Sequence, residues 1–382
     1  MAEQSAVRLG VIGLGNIAGQ HIENILEGRV HDTVLAAVCS RRAPERDYGV
    51  PHFLDYAALL DSGLCDAVLI ATPTFAHAAM GVAALEAGLH VMMEKPLGLS
   101  VGEGEQLLAH QRDGQVFALM LNQRTDPLFV AMREVIASGA LGAITRTHWT
   151  MTNWFRPEIY FQVSDWRATW KGEGGGALVN QCIHNLDIYQ WLCGLPSSIH
   201  AFCRFGRHHG IEVEDEVTAY FEYPEGASGV FVASTGEAPG VNRFDIVGDL
   251  GALHFDGERL IHTTNTPGTS QFNAQTREMF GMPQTAQRDI TPDRTLNQHV
   301  AVLENFADAI LRGAPLLAPA RDGLDSLAMA NAMLLSTWES TTVSLPLDSV
   351  RYQRALDERV ADSQLRKPSD VEAEVDMGAS YR

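Results

Sequence analysis

Val7-Arg8-Leu9-Gly10-Val11-Ile12-Gly13-Leu14-Gly15-Asn16-Ile17-Ala18 decides the fold. An apolar run ends in G-x-G-x-x-A, and a helical pattern follows from about Gly19 to Leu26. Gly13 makes a tight turn there, Gly15 lets a pyrophosphate approach the backbone, and Ala18 allows the helix to pack closely on the strand. Asn16 and Ile17 lie inside the same turn, where the free N–H groups of a helix N-terminus attract anions. A glycine pattern alone is weak evidence. Here it forms the first strand-turn-helix of the chain, and a second apolar run, Val34-Leu35-Ala36-Ala37-Val38-Cys39, follows. That context makes it a dinucleotide site.

The residues after the second strand select the dinucleotide. An acid there binds both hydroxyls of a ribose, whereas this chain has Ser40-Arg41-Arg42 and no acid until Glu45. Two guanidinium forks and a hydroxyl suit a 2′-phosphate. NADP(H) is therefore favoured over NAD(H).

Alternation continues through Ala67-Val68-Leu69-Ile70-Ala71, Thr72-Pro73, a helical stretch from Phe75 to Glu86 ended by Gly88, and the strand Val91-Met92-Met93. A further helix (roughly Ser100 to Gln111) and the strand Val116–Leu121 complete a parallel, doubly wound α/β sheet. His77, one turn past Pro73, reads as a packed or capping histidine. Glu94-Lys95-Pro96 closes the Val91–Met93 strand, at the carboxyl end where such sheets bind ligands. A partly desolvated lysine there has a lowered pKa and stabilises negative charge on a reacting oxygen.

The pattern changes near Asn122. A helix, about Pro127 to Ser138, leads into alternating runs at Val217–Tyr223, Gly229–Ser234, Phe244–Val247 and Ala252–Phe255. These predict a mainly antiparallel sheet with one covered face. Residues 263–295 are polar and broken by Pro and Gly, an excursion suited to a lid or an oligomer contact. Helices follow at about Asn297–Arg312 and Asp322–Glu339. The expected division is a Rossmann domain over 1–123, a substrate and oligomerisation domain over 124–349, and a charged C-terminal arm over 350–382, either exposed or a docking tail.

The second concentrated signal runs from Gly174-Gly175-Gly176 to Asn180-Gln181-Cys182-Ile183-His184-Asn185-Leu186-Asp187. Glycines open a helix with Leu178, Cys182, Leu186 and Tyr189 on its apolar face, and Asn180 and His184, four apart, project from another. Histidine is the usual proton acceptor near neutral pH. These pieces outline an alcohol/ketone oxidoreductase in which His184 takes the hydroxyl proton, Lys95 stabilises the alkoxide and Asn180 orients His184 or holds a neighbouring hydroxyl. Asp187 is either a supporting acid or a surface one. Between them lie Trp149, Trp154, Arg156, Tyr160, Trp166, Arg167, Trp170 and Lys171. Flat rings beside forked donors suit a sugar, and equally suit a core with surface cations.

The chain has 382 residues, enough for two domains, and a formal net charge of −19, which argues against a nucleic-acid surface and anionic membranes. No apolar stretch is long enough to span a bilayer. Glu3 and Gln4 precede a modest strand rather than a secretory signal. Cys39, Cys65, Cys182, Cys193 and Cys203 have neither metal nor disulfide spacing, so no metal is expected and a cytoplasmic setting fits.

Taken together, Gly13–Ala18, Ala71-Thr72-Pro73 with His77, Glu94-Lys95-Pro96, Asn122-Gln123-Arg124, Gly174–Asp187, Asn305–Ile310 and Asp322-Gly323-Leu324 resemble the Gfo/Idh/MocA oxidoreductases. The resemblance covers most of the chain up to about Ser349. It implies a Rossmann domain followed by an α/β domain with a large open sheet, NAD or NADP, a sugar, cyclitol or other polyol substrate, and a homodimer or homotetramer. It puts the family's lysine on Lys95, its histidine on His184, and its contact to the nicotinamide ribose on Glu94. Ala71, Thr72, Pro73, His77, Asn122, Trp166 and Arg167 are assigned to the cofactor, and Arg124, Trp154, Arg156 and Asn180 to the substrate. Many members carry Asp where this chain has Asn180, and an amide cannot ionise. The Asn-Gln-x-x-His form resembles a subgroup acting on pyranosides or nucleotide sugars. Two alternatives stand beside dehydrogenation: NAD-assisted glycosidase chemistry, and a non-catalytic sugar-sensing regulator.

Overall fold

A computed structural model describes residues 6–44 and 46–364. The first sheet contains β1 (Val7–Ile12), β2 (Thr33–Cys39), β3 (His52–Phe53), β4 (Ala67–Ile70), β5 (His90–Met93) and β6 (Phe117–Leu119). Its connections carry α1 (Asn16–Leu26), α2 (Tyr56–Leu60), α3 (His77–Glu86) and α4 (Val101–Ala109). The order is β3-β2-β1-β4-β5-β6, and every pairing is parallel. The strand order reverses between β1 and β4, so a crevice opens at their carboxyl ends. Both faces of this sheet are covered, which is why β4, Ala-Val-Leu-Ile, is apolar and buried at every position. The short β3 and α2 carry little periodicity and were not expected from the sequence.

The remaining chain runs through α5 (Pro127–Ala137), β7 (Ile144–Met151), α6 (Glu158–Gln162), α7 (Trp170–Glu173), α8 (Ile183–Cys193), β8 (Ser198–Phe205), β9 (Glu214–Glu222) and β10 (Ser228–Ser234). Next come β11 (Asn242–Gly248), β12 (Gly251–Phe255), β13 (Leu260–Thr266), α9 (Thr269–Gln275) and β14 (Gln284–Asp289). It ends with α10 (Gln298–Arg312), α11 (Gly323–Glu339), β15 (Val343–Ser344) and α12 (Ser349–Asp362). The second sheet has nine strands, β14-β13-β12-β11-β7-β10-β9-β8-β15. Only its β7–β10 pairing is parallel. One face is covered: in β9, Val217, Ala219 and Phe221 are buried while Thr218, Tyr220 and Glu222 are exposed. Trp149 stacks on Phe244 inside that face, with ring centroids 4.3 Å apart, and Tyr189 of α8 packs beside them.

Three regions gain definition in the structure. The excursion at 263–295 is ordered as the end of β13, α9 and β14, and β14 pairs antiparallel with β13. The segment after Ser349 begins with a docked helix: Asp348 caps it, Tyr352 and Leu356 are buried, and Tyr352 stacks on Trp338. Two large apolar groups a turn apart are enough to seat an otherwise charged helix. The rest of the expected arm, 365–382, lies outside the described residues. Finally, α10 belongs to the first sheet's core, where Val302, Leu303, Phe306 and Ala307 pack with Val7, Leu9 and Ala18. The chain therefore returns to the dinucleotide-type unit after building the second sheet, and the contiguous division at residue 123 does not describe the packing.

Candidate active site

The glycine turn has the form its sequence requires. Gly13 sits at φ +96°, and a β-carbon there would meet the Ala71 carbonyl oxygen at 2.4 Å. A β-carbon on Gly15 would meet nothing within 4 Å, so that backbone borders open space. No side chain caps α1, which starts at Asn16 just past the carboxyl end of β1, so its first N–H groups are left without intrahelical partners. Nearby, Asn122 Oδ1, Gln20 Oε1 and Gln123 Oε1 are buried without a partner among the described residues. This cradle fits the pyrophosphate and polar edges of a dinucleotide. Arg41 and Arg42 are exposed at the end of β2. The Ser40 hydroxyl donates to the Arg42 carbonyl at 2.5 Å and lies 3.0 Å from His52 Nε2, so the arginines, not Ser40, remain available to an added phosphate.

At the carboxyl end of β5, the Glu94 N–H donates to the Ile70 carbonyl at 2.9 Å. Glu94 Oε1 lies 2.8 Å from His21 Nε2, which must carry the proton because a carboxylate only accepts. Burial opposes the Glu94 charge, but the His21 hydrogen bond and the charges of His21, His299 and Lys95 lower its pKa to about 2. The Lys95–Pro96 peptide is cis. His77 Nδ1 lies 2.8 Å from the Pro96 carbonyl and Nε2 lies 2.9 Å from that of Thr72. The ring is buried and ties the loops after β4 and β5 together.

Lys95 Nζ crosses to the second unit and donates to the Asn180 carbonyl at 2.7 Å. Burial lowers its pKa, Glu94 and Glu173 raise it, and Arg167 and Arg156 lower it. The helix carrying His184 starts at Ile183, later than the sequence suggested, and Asn180 precedes it in a turn. The cause is local. Glu214 Oε1 accepts from the N–H groups of Gly176 and Leu178 at 2.8 and 2.9 Å, while the Asn180 carbonyl serves Lys95. Asn180 and His184 are still brought to one place. His184 Nδ1 is buried with no partner among the described residues. Its pKa lies well below 6.5, first from burial and then from the Lys95 charge.

The aromatic and basic stretch divides. Arg167 stacks over Tyr160 and Trp166 at 4.5 and 4.8 Å, and its Nη1 donates to the Tyr160 hydroxyl. Arg156 lies over Trp154 and Tyr160 at 5.2 and 5.4 Å. These two cations lower the pKa of the Lys95 ammonium. Trp149 is core, Trp170 packs against Trp338, and the Lys171 side chain faces solvent.

Arg124 is the clear correction among the substrate residues. Its guanidinium is 2% exposed and forked onto Asp187 at 2.8 and 2.6 Å, with Nη1 on Asp322 at 2.6 Å. It joins the first sheet's end to α8 and to the start of α11, and has no face left for a ligand. Asp187, by the same token, is a buried partner and not a surface acid. Residues that pattern reading missed are His21, Glu173, Glu214 and His299. His299, whose ring lies 5.3 Å from His21, has a pKa lowered to about 4, chiefly by burial. The only signal for Glu173 was its place directly before the triple glycine. His21 and His299 carried none, because their meeting depends on α10 folding back onto the first sheet.

Two family models match this chain. "Oxidoreductase family, NAD-binding Rossmann fold" matches residues 7–122, and "GFO/IDH/MocA C-terminal domain" matches residues 129–254. The chain belongs to the Gfo/Idh/MocA oxidoreductases. It is similar to scyllo-inositol 2-dehydrogenase (NADP(+)) of Bacillus subtilis, at 25% identity over 89% of this chain and 96% of that protein. A shorter match, 54% of this chain and 59% of the relative, is 28% identical to levoglucosan dehydrogenase of Pseudarthrobacter phenanthrenivorans. The fold matches that of the WlbA dehydrogenase from Bordetella pertussis, solved with NADH and UDP-GlcNAcA, with a TM-score of 0.76 over 90% of this chain and all of that one at 24% identity.

Proposed function

We propose that the protein is an NAD(P)-dependent dehydrogenase or reductase acting on a secondary alcohol of a sugar, glycoside or cyclitol. The observation that carries this reading is the reach of Lys95, from the end of a nucleotide-sheet strand, onto the backbone of the segment bearing Asn180 and His184. An ammonium and a neutral imidazole then serve one cleft. Relatives named for inositol and levoglucosan dehydrogenation support the polyol class.

The turn at Gly13 and Gly15, the α1 N-terminus, Glu94 and Asn122 would hold the dinucleotide. A bound nicotinamide supplies the hydride acceptor or donor. His184 removes the hydroxyl proton as general base and returns it in the reverse direction. Lys95 hydrogen-bonds the same oxygen and stabilises its developing charge in a site shielded from water. Asn180 holds a neighbouring hydroxyl, and Arg156 with the Trp154 and Tyr160 rings flanks the sugar face. Arg41 and Arg42 favour NADP(H) through charge-assisted bonds to a 2′-phosphate. The free cysteines among the described residues suit a reducing compartment.

The deciding experiment follows nicotinamide absorbance with NAD(H) and NADP(H) against a panel of sugars, glycosides, inositols and their keto forms. Turnover of a member of that panel is expected. An enzyme inert toward the whole panel with both nucleotides overturns the reading.

A further inference from the structure

Glu173, the last residue of α7, is 3% exposed and touches the site directly. Its Oε2 accepts from the Ala168 N–H at 2.5 Å, and its Oε1 accepts from Asn180 Nδ2. Ala168 is held at φ +55°, a conformation that residues with a β-carbon seldom adopt, so the turn presenting that N–H is kept against its preference. A carboxylate has only acceptors to offer. The amide end facing it must be the NH2, and Oδ1 is the atom Asn180 retains for a ligand.

The same carboxylate lies one residue away from Lys95: Asn180 accepts from Lys95 Nζ through its carbonyl and donates to Glu173 through Nδ2, and the Glu173 charge raises the Lys95 pKa. The charged and titratable groups that bear on that ammonium are His77 on α3, Glu94 after β5, Glu173 on α7, Cys182 and His184 at the start of α8, His299 on α10, and Arg156 and Arg167 from the segment before α7. Two are anions and two are permanent cations. Removing one anion leaves the lysine buried beside two arginines with Glu94 alone against them. Glu214 is a further buried carboxylate behind the pair, lining one small internal void with Glu173, Asn180 and Gln181.

We propose that Glu173 is a positioning residue of the active site, fixing Asn180 with Oδ1 toward a substrate hydroxyl and keeping Lys95 an ammonium. The Asn180 half rests on the proposed alcohol oxidoreduction; the Lys95 half does not.

The test uses the small number of lysines: Lys95, Lys171 and Lys367 are the three in the chain. With ε-13C-lysine incorporated, the Lys95 resonance is assigned by its loss in Lys95→Met and titrated by NMR. In Glu173→Gln the Lys95 midpoint falls by about one pH unit. An unchanged midpoint overturns the proposal. The exchange Glu173→Gln with Asn180→Asp keeps one carboxylate and one amide in contact, and Lys95 titrates there as in the wild type; a fall in that protein also overturns it. Should the single variant not fold, the exchange decides alone. On a substrate found by the panel, Glu173→Gln moves the alkaline limb of kcat/KM to lower pH and raises KM for the full substrate more than for its neighbouring deoxy analogue. Equal effects on both analogues overturn the Asn180 half. If the panel yields no turnover, the proposed reaction fails while the lysine titration still judges this pair.

Discussion

Lys95 Nζ donates to the carbonyl oxygen of Asn180 at 2.7 Å, joining residues 85 positions apart. Within this contact the first sheet's ligand edge meets the loop before α8. The glycine turn and the α1 N-terminus that fit a dinucleotide do not depend on the ammonium. Lys95→Ala is therefore expected to lower kcat by about 10²–10³ or more while leaving nucleotide affinity within a few-fold. Steady-state kinetics beside a nicotinamide fluorescence titration checks this. Binding that collapses along with turnover would make Lys95 a nucleotide ligand first.

Arg124 should behave in the opposite way. Its guanidinium is paired with Asp187 in a contact where both side chains are almost fully buried. Truncation leaves an uncompensated buried carboxylate, a defect worth about 3–5 kcal/mol. Arg124→Met is expected to lower Tm strongly and to leave the kcat of the folded fraction within a few-fold. A normal Tm with a large rise in KM would return Arg124 to the substrate.

Much of this arrangement was legible because its signals are local. The Gly13–Ala18 turn, the apolar runs of β1, β2, β4 and β5, and the alternation in β9 and β10 each state their own geometry. Lys95 and His184 stood out because charge and imidazole at those places are costly without a use. What stayed hidden depends on contacts distant in sequence. The Arg124 fork needs residues 187 and 322 at once. Asn180 fits a helical spacing with His184, yet lies in a turn because Glu214, 38 residues beyond Gly176, takes the amides there. Helix α10 reads as part of the second unit until its Phe306 meets Val7 and Leu9. Periodicity identifies which face of an element is buried, not which neighbour buries it.

His184 has a pKa well below 6.5, because burial and then the Lys95 charge disfavour its imidazolium. The proposed base therefore stays neutral through the physiological range. The acid limb of kcat/KM for the free enzyme is expected below pH 6.5, and His184→Asn should remove it along with most activity. A limb above 7 that survives this substitution would identify a different base. The same depression has a stability consequence. The unfolded imidazole binds a proton near 6.5 and the folded one resists it, so this contribution is full above about pH 6.5 and is lost as pH falls below it. His299, lowered to about 4, acts in the same direction.

Glu214 carries the reverse sign. Burial raises its pKa from 4.5 to about 7 despite the N–H groups of Leu178 and Gly176. Its contribution favours the folded state at low pH and is lost as pH rises from about 4.5 to 7, since the unfolded carboxyl ionises first. Glu214→Gln keeps an oxygen for those amides and cannot ionise. Relative to the wild type, the variant should gain about 3 kcal/mol between pH 4.5 and pH 8, measured by urea unfolding at a series of pH values. A relative loss over that interval would mean that the two amides hold the anion more strongly than burial opposes it.

The proposed preference for NADP(H) rests on Arg41 and Arg42, exposed at the end of β2, with the Ser40 hydroxyl already donated to the Arg42 carbonyl. A 2′-phosphate gains charge-assisted bonds from these forks that a bare ribose hydroxyl cannot match, each worth about 1.5–3 kcal/mol. Arg41→Ala is therefore expected to weaken NADP(H) binding by roughly tenfold or more and NAD(H) binding by less than about twofold. Arg41→Lys should recover only part of the loss, because an ammonium keeps the charge without the planar fork. Calorimetric titration of both nucleotides into each protein reads the difference directly. Equal losses for the two nucleotides would assign Arg41 to the common diphosphate or to the loop itself, and the preference would then have to come from residues nearer the β1–β4 crevice.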